Sequence, residues 1–461
     1  MTKKPTTKEA LIGLLIVIIS ILVSIKITLA LEIALVFGTI AAALVAVYLG
    51  HQWDDIQDGM LRGIQNGLGA CLILIAIGMV VGTWILSGTI QTLIFYGLQW
   101  LTPSVFLPIG FLLCSLTSLL IGSSFGTIAT MGIVLMGISE GLGVPKEITA
   151  GVVVAGAMFG DKISPISDST NLTAAMSGTD LFRHVKSMLY VSIPATLICV
   201  LLYTFIGFNY SSSTHFSSSI VDELQLVLST HFRISLWTLI PPIAVLALSY
   251  KKIPAIPTLI FSFILSSAIA LILQKASLAS VLEVATSGYI SNTGNALIDK
   301  LLSQGGIHSM MSTIVMIMLG TAMGGILEKI GILDALLKAL MRQINSPKHL
   351  ILATLASSYI MLIATGEMMV SIIVPGRTLK PAYEEMGVDL CVLSRTLETA
   401  ATLGCGILPW GVVSIYAQNI LNVGFGYIPY TFLGFIAPII AILYAHFGIA
   451  SFKADAKVEL S

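Results

Sequence analysis

Two carboxylates, Asp161 and Asp168, stand in a stretch from Ala157 to Ala174 that reads Ala-Met-Phe-Gly-Asp-Lys-Ile-Ser-Pro-Ile-Ser-Asp-Ser-Thr-Asn-Leu-Thr-Ala. With them come the Lys162 ammonium, the hydroxyls of Ser164, Ser167, Ser169, Thr170 and Thr173, and the Asn171 amide, all between long apolar runs. A charge at the centre of a membrane helix costs roughly 2.5 to 3.5 kcal/mol, so such residues occupy a hydrated, protein-lined site. A continuous helix would put both carboxylates on one face. Pro165 lies between them; it removes a backbone donor and frees a carbonyl near Asp161. Carboxylate, hydroxyl and carbonyl oxygens replace the water shell of a hard cation. The stretch therefore reads as a Na⁺ site, with Asp161 and Asp168 as its charged ligands and Ser164, Ser167, Thr170 and Asn171 around them. No His or Cys joins the cluster, which argues against a transition metal. The plainer reading makes Asp161 a partner of Lys162 or a helix cap and turns the hydroxyls back onto the preceding turn. Two carboxylates and an amide exceed what a cap requires. Of the pair, Asp168 is expected to carry more of the transport, because Asp161 has Lys162 beside it.

The elements that hold this stretch are membrane helices. Of 461 residues, 56% are hydrophobic and only 10% charged, against roughly 25% charged in a soluble chain. Lys plus Arg equals Asp plus Glu at 23 each, so net charge points to no nucleic-acid partner. Cys71, Cys114, Cys199, Cys391 and Cys405 stand singly in apolar segments, without metal-ligand or redox spacing. The apolar run from Ala10 to Ile25 follows Lys3, Lys4 and Lys8 like a signal peptide, but no small-residue cleavage site closes it, and it is read as a retained helix.

Ten runs of about 20 apolar residues can cross a bilayer: 10–28, 30–50, 69–88, 104–121, 185–208, 231–250, 254–273, 309–328, 348–365 and 428–449. Shorter segments interrupted by Gly, Pro or charge, at 123–139, 148–178, 367–383, 390–404 and 408–423, read as broken or re-entrant helices. The expectation is an all-α polytopic membrane protein with about 10 to 14 membrane segments. Residues 53–66, with Asp54, Asp55, Asp58 and Arg62, read as an amphipathic interfacial helix, with 282–302 as its partner in the second half.

Adding 244 to each residue number lays the interrupted segments on one another without a gap, pairing Pro103 with Pro347, Gly122 with Gly366, Gly143 with Gly387, Gly160 with Gly404 and Pro165 with Pro409. Gly and Pro matches mark backbone geometry, so the chain contains an internal duplication. Basic residues collect in cytoplasmic loops. The connector 89–104 has none, whereas its counterpart carries Lys329, Lys338, Arg342 and Lys348; equivalent loops face opposite sides. Arg183, Lys186, Lys251 and Lys252 then lie inside with the N-terminus, and the Ser-rich loop 211–219 lies outside. Inverted repeats with interrupted helices point to a secondary transporter whose site lies between the repeats. The chain divides into N-terminal and interfacial helices (1–68), a first repeat with the ion site (69–180), linking helices (181–308), a second, inverted repeat (309–427) and a C-terminal helix and tail (428–461).

The second repeat puts Cys405 at the position of Asp161 and Val412 at that of Asp168. It offers Glu367, aligned with Ser123, and the run Ser394 to Thr399, where Arg395 and Glu398 have the spacing of a helical pair. Glu367 and Glu398 join the candidate ion path.

The run Gly160-Asp161-Lys162-Ile163-Ser164-Pro165-Ile166-Ser167-Asp168-Ser169-Thr170-Asn171 resembles the signature of the NhaC-type sodium/proton antiporters, part of the larger ion transporter superfamily of inverted-repeat carriers. The chain length, the hydrophobic profile and the run Gly-Cys-Gly-Ile-Leu-Pro-Trp from Gly404 are also similar. The resemblance implies exchange of Na⁺ for H⁺ across a bacterial cytoplasmic membrane by alternating access, with Asp161 and Asp168 in the ion path and no cofactor beyond the transported ions. The family also contains carriers that couple Na⁺ and H⁺ to malate and lactate exchange. For such a cargo Lys162 and Arg395 are the candidate carboxylate partners, or else charge-pair members. A channel and a membrane enzyme are the rival classes. No HExxH, phosphate loop or nucleophile with a base supports the enzyme. Assembly as a homo-oligomer is left open.

Overall fold

The computed structural model describes residues 4–28, 30–165, 167–211, 218–251, 253–450 and 452. Lys3, Lys252, most of the Ser-rich loop 211–219 and the tail from residue 453 lie outside the described residues. The described residues form helices and no strand. In chain order these are α1 (Thr7–Thr28), α2 (Leu31–Tyr48), α3 (Trp53–Leu86), α4 (Thr89–Trp100), α5 (Pro103–Ile121), α6 (Ser124–Thr127), α7 (Ile133–Leu142), α8 (Lys146–Ile163), α9 (Asp168–Ser177), α10 (Leu181–Ser211), α11 (Ser218–His231) and α12 (Ile240–Tyr250). There follow α13 (Ala255–Ile272), α14 (Leu278–Ser287), α15 (Ala296–Leu302), α16 (Ile307–Lys329), α17 (Ile332–Met341), α18 (Pro347–Thr365), α19 (Met368–Glu385), α20 (Leu390–Cys405), α21 (Val412–Ile420) and α22 (Phe432–Phe447). A π-turn over Ile128–Gly132 joins α6 to α7. Among the described residues, eight helices are long and apolar enough to cross a membrane, or nine if the pair α11 and α12, bent by 93°, is one span. This is an all-helical, multi-pass membrane protein.

The second half repeats the first element by element. α5 and α18 each start at a proline and end at a glycine of positive φ, Gly122 (70°) and Gly366 (66°). Gly143 (67°) and Gly387 (63°) repeat the pattern one connection later. Only glycine takes this left-handed turn without a side-chain penalty. α9 and α21 start at Asp168 and Val412, the residues the 244 shift pairs.

Equivalent helices pack antiparallel. A Cβ on Gly59 would meet Gly325 and one on Gly63 would meet Thr321. Lys329 at the end of α16 binds Asp58 near the start of α3 at 2.6 Å, and Gly306 N at the start of α16 donates to Gly78 O at 2.7 Å. α8 and α20 run opposite in the same way, with Lys162 beside Thr399 and Gly406 beside Val154 and Met158. An inverted repeat requires this arrangement of its counterparts.

Three expectations differ from the structure. The 53–66 segment is no separate interfacial helix; it is the first part of the 34-residue α3. Gly59, Gly63 and Gly67 are buried on one stripe against α16 and carry the helix without a break from its charged start into its apolar end. Its supposed partner is two short helices, α14 and α15, because Gly288 (φ 92°) ends the first and the Asp299 carboxylate ties down a turn. That turn is held by bonds from Thr293 N at 2.7 Å, Ser291 Oγ at 2.8 Å and Gly294 N at 3.1 Å. The expected 231–250 span is likewise bent, at Arg233 to Ser235 before a short 3-10 turn.

Candidate functional site

The helix break lies where Pro165 stands: α8 ends at Ile163 and α9 begins at Asp168. Asp161, in the last turn of α8, is buried. Its Oδ2 accepts from the Ser124 backbone N–H at 3.0 Å, and its Oδ1 accepts from Ser167 Oγ at 2.5 Å. Ser124 opens α6, where an N–H has no intrahelical partner. The hairpin from α5 to α6, turned by Gly122, thus aims a free donor at the carboxylate. The remaining polar groups of the stretch hold the break together. Ser164 Oγ donates to Leu119 O at 2.7 Å, Thr170 Oγ1 to Lys162 O at 3.0 Å, and Asn171 Nδ2 to Pro165 O and Ser167 O, each at 2.8 Å.

The second half answers with different chemistry on the same frame. Glu367 caps α19 by accepting from Val370 N at 2.8 Å, as Ser123 caps α6 by accepting from Gly126 N at 3.3 Å. Val412 N donates to Gly366 O at 2.9 Å, and the Cys405 thiol lies 3.7 Å from the same carbonyl. In the first repeat, then, the carboxylate sits on the broken helix; in the second it sits on the hairpin.

Both carboxylates face one cavity of about 640 Å³. Asp161, Glu367, Cys405 and Val412 are buried at its floor, whereas Asn66, Asp168, Asn171 and Pro254 are exposed on its walls and rim. Oxygen ligands around a partly open, protein-lined cavity suit a hard monovalent cation.

The family model described as the Na⁺/H⁺ antiporter family matches residues 1–170 and 156–449. The chain belongs to this family. Among its relatives, the Malate-2H(+)/Na(+)-lactate antiporter of Bacillus subtilis is 37% identical over 408 residues, 88% of this chain and 87% of the relative. The Na(+)/H(+) antiporter NhaC of Alkalihalophilus pseudofirmus is 37% identical over 412 residues, 89% of this chain and 88% of its own. The Na(+)/H(+) antiporter NhaC of Bacillus subtilis is 36% identical over 409 residues, covering 88% and 89%. The family resemblance of the run from Gly160 to Asn171 is thus to the family to which this antiporter chain belongs.

The structure redistributes the roles expected of the charged residues. Asp161, not Asp168, is the enclosed carboxylate: Asp168 is exposed at the cavity wall. Lys162 turns away from the cavity and donates from Nζ to Thr399 Oγ1 at 2.8 Å, fully buried. Glu398 is also fully buried and lines a second polar layer behind α9; its Oε1 accepts from Thr402 Oγ1 at 2.7 Å and its Oε2 from Thr173 Oγ1. Arg395 does not pair with Glu398. Its guanidinium donates to Ala450 O at 3.2 Å and Ser187 Oγ at 3.4 Å, and lies over the Phe452 ring. In this layer His184 Nδ1 meets Ser394 Oγ at 2.7 Å. Sequence reasoning missed His184, Asn66 and the Ser124 amide. The first two stand among other polar residues, His184 beside Arg183 and Asn66 beside Gln65, so nothing local singles them out, and the third is a backbone donor that reaches Asp161 only through the hairpin.

Proposed function

We propose that this chain exchanges Na⁺ for H⁺ across the bacterial cytoplasmic membrane by alternating access, as a transporter and not an enzyme, and without a cofactor. The observation that carries the reading is the buried Asp161 carboxylate at a helix break on the floor of a cavity, held by one amide and one hydroxyl. Na⁺ would take Asp161 oxygens, with Ser167 and the backbone carbonyls freed at the break completing its shell, and Asp168 would receive it at the wall. Na⁺ and H⁺ compete for the same carboxylate, so each leaves when the other binds. Glu367 offers a second carboxylate to the same cavity. The repeats 69–180 and 309–427 would rock against each other; the antiparallel packing of α3 on α16 supports that motion, since inverted halves exchange conformations on the two sides.

The N-terminus is assigned to the cytoplasm. The cavity rim includes Leu181 and Ile253, next to Arg183, Lys186 and Lys251, and basic residues mark the cytoplasmic side. The conformation described is thus the one open to the cytoplasm. The malate and lactate named for one Bacillus subtilis relative give a second reading, favoured by a cavity far larger than a single ion needs. Against it, Lys162 and Arg395 do not line that cavity.

Proteoliposomes with an internal pH dye, given Na⁺, Li⁺, K⁺, malate or lactate in turn, test both. Proton movement on Na⁺ alone is the expected result. A requirement for malate or lactate would transfer the assignment to organic-acid exchange, and no response to any of them would sink both readings.

A further inference from the structure

The cavity is large, and the charges that line it have one sign. Its volume of about 640 Å³ lies in the range of organic-ligand pockets, roughly 300 to 1,000 Å³. Asp161 and Glu367 face it from the floor and Asp168 from the wall, whereas no Lys, Arg or His stands among the described residues that line it. The remaining lining is largely apolar, with Ile73 from α3, Ile121 from α5, Phe125 from α6, Met369 from α19 and Val413 from α21. Na⁺ makes no use of such walls; an alkyl or aryl group does. A few placed polar groups in an apolar chamber are the build of a small-molecule site.

The floor carboxylates have acceptor capacity left for a ligand. Glu367 is more than nine-tenths buried, at 8% exposed. Its Oε2 accepts from Val370 N at 2.8 Å, and its Oε1 has no hydrogen-bond partner among the described residues. Each Asp161 oxygen accepts one bond, from Ser124 N or from Ser167 Oγ, and keeps a second lone pair. A buried carboxylate left without its full set of partners calls for a cation or a donor. An ammonium is both, since it carries three N–H donors and no acceptor.

One wall has room for the body of such a molecule. Asn66, Gly69, Ala70 and Ile73 follow the i, i+3, i+4, i+7 spacing of a single helix face, and all four line the cavity. Gly69 leaves a notch in that face, because a Cβ there would meet nothing within 4 Å. The glycines one and two turns earlier, Gly63 and Gly59, are closed off by α16. The small residue at position 69 therefore serves no helix packing, and the space it leaves belongs to the cavity side of α3.

We propose that this cavity binds a primary amine with an apolar body and no carboxylate, in place of Na⁺, its ammonium held by Asp161 and Glu367 and its body lodged along the α3 face at Gly69 and Ile73. This rests on the cation site assigned to Asp161 above and adds an organic class of cation to it. The two cations exclude each other because both need the Asp161 carboxylate. A carboxylate on the ligand would meet three lining carboxylates and no basic partner, so malate and lactate fit this lining less well than an amine does.

The test is displacement of radioactive Na⁺ from the purified protein by methyl-, ethyl-, propyl- and butylammonium at one pH, with thermal unfolding as a second readout. Affinity should rise about fourfold with each added methylene, and butyrate should displace nothing. Glu367→Gln keeps an acceptor for Val370 N and should weaken butylammonium at least about tenfold. Gly69→Phe builds into the open side of α3 and should flatten the gain per methylene, with methylammonium, which has no chain to lose, as the internal reference. Butylammonium binding no better than methylammonium would overturn the inference, and so would butyrate displacing Na⁺ as strongly as butylammonium does. A gain per methylene undiminished in Gly69→Phe would place the alkyl group outside the cavity and overturn it as well. If Glu367→Gln does not fold, the ammonium series on wild type and Gly69→Phe decides alone. A wild type stabilised by butylammonium but not by Na⁺ would remove the underlying Na⁺ reading and keep this one, whereas Na⁺ binding that no amine displaces would do the reverse.

Discussion

Asp161→Asn should leave the protein folded and remove its response to Na⁺. The amide has the shape of the carboxylate. Its Oδ1 can still accept from Ser124 N, 3.0 Å away, and its Nδ2 can donate to Ser167 Oγ, 2.5 Å away. Two charge-assisted bonds become two neutral ones, a loss of about 1 kcal/mol each, within the stability of most domains. The ion loses far more. A carboxylate oxygen about 2.4 Å from a cation contributes roughly 7 kcal/mol at an effective dielectric constant of about 20. The amide oxygen returns part of that, leaving a loss of at least about 3 kcal/mol, or about 100-fold in affinity. The assay is thermal unfolding of the purified protein against Na⁺ concentration. At a Na⁺ concentration about 100 times its Kd, the wild type should gain about 2.7 kcal/mol and the variant only about 0.4 kcal/mol. Asp168→Asn gives the contrast: at a water-exposed wall its charge is worth about 1 kcal/mol at 4 Å. An Asp161→Asn protein stabilised by Na⁺ as strongly as wild type, and still moving protons, would refute the placement of the cation on Asp161.

Gly63→Ala should destabilise by about 1 to 3 kcal/mol, because its Cβ would lie 2.0 Å from Thr321 O and would force α3 and α16 apart; Gly69→Ala, with nothing within 4 Å, should not, and equal melting temperatures for the two would remove the close-packing argument. Thr102→Cys should react with an impermeant thiol reagent only from outside and Ser346→Cys only from the cytoplasm; the native cysteines are all buried, and labelling of both from one side would end the inversion. The Asp299 carboxyl is held below its ordinary value of 3.8, first by the Thr293 backbone N–H, with Thr293 and Ser291 hydroxyls and the Gly294 N–H adding to it. The ionised form is thus the one that orders this turn, so amide protection at Gly294 should persist at and above pH 3.8 and disappear as the pH falls through the lowered value; loss of protection already well above 3.8, followed by hydrogen exchange, would contradict that sign.

Much of the architecture was legible along the chain, for physical reasons that act locally. Apolar length marks a span, Pro165 forbids a continuous ladder of hydrogen bonds, and the glycines paired by the 244 shift are residues whose backbone must turn left-handed. Those features announce helices, a break and a duplication wherever they fold. Glu367 was legible too, because a carboxylate with no basic neighbour between apolar runs is unusual. Helical periodicity, however, says only which residues share a face, not what packs on that face. Asp161 and Asp168 look equivalent in sequence, yet α6 comes across the break to enclose the first and leaves the second exposed. Lys162 looked like the neighbour that would neutralise Asp161, but α20 supplies Thr399 on the other side and turns it away. The 53–66 segment looked interfacial by its charges, and only the groove of α16 turns its glycines into a packing stripe. Composition and spacing determined that this chain is a duplicated membrane carrier with oxygen-bearing side chains at a broken helix; which carboxylate is buried, and which groups hold Lys162 and Glu398 behind it, was decided by the contact of the two repeats, because burial and hydrogen-bond partners are properties of surfaces brought together from distant parts of the chain.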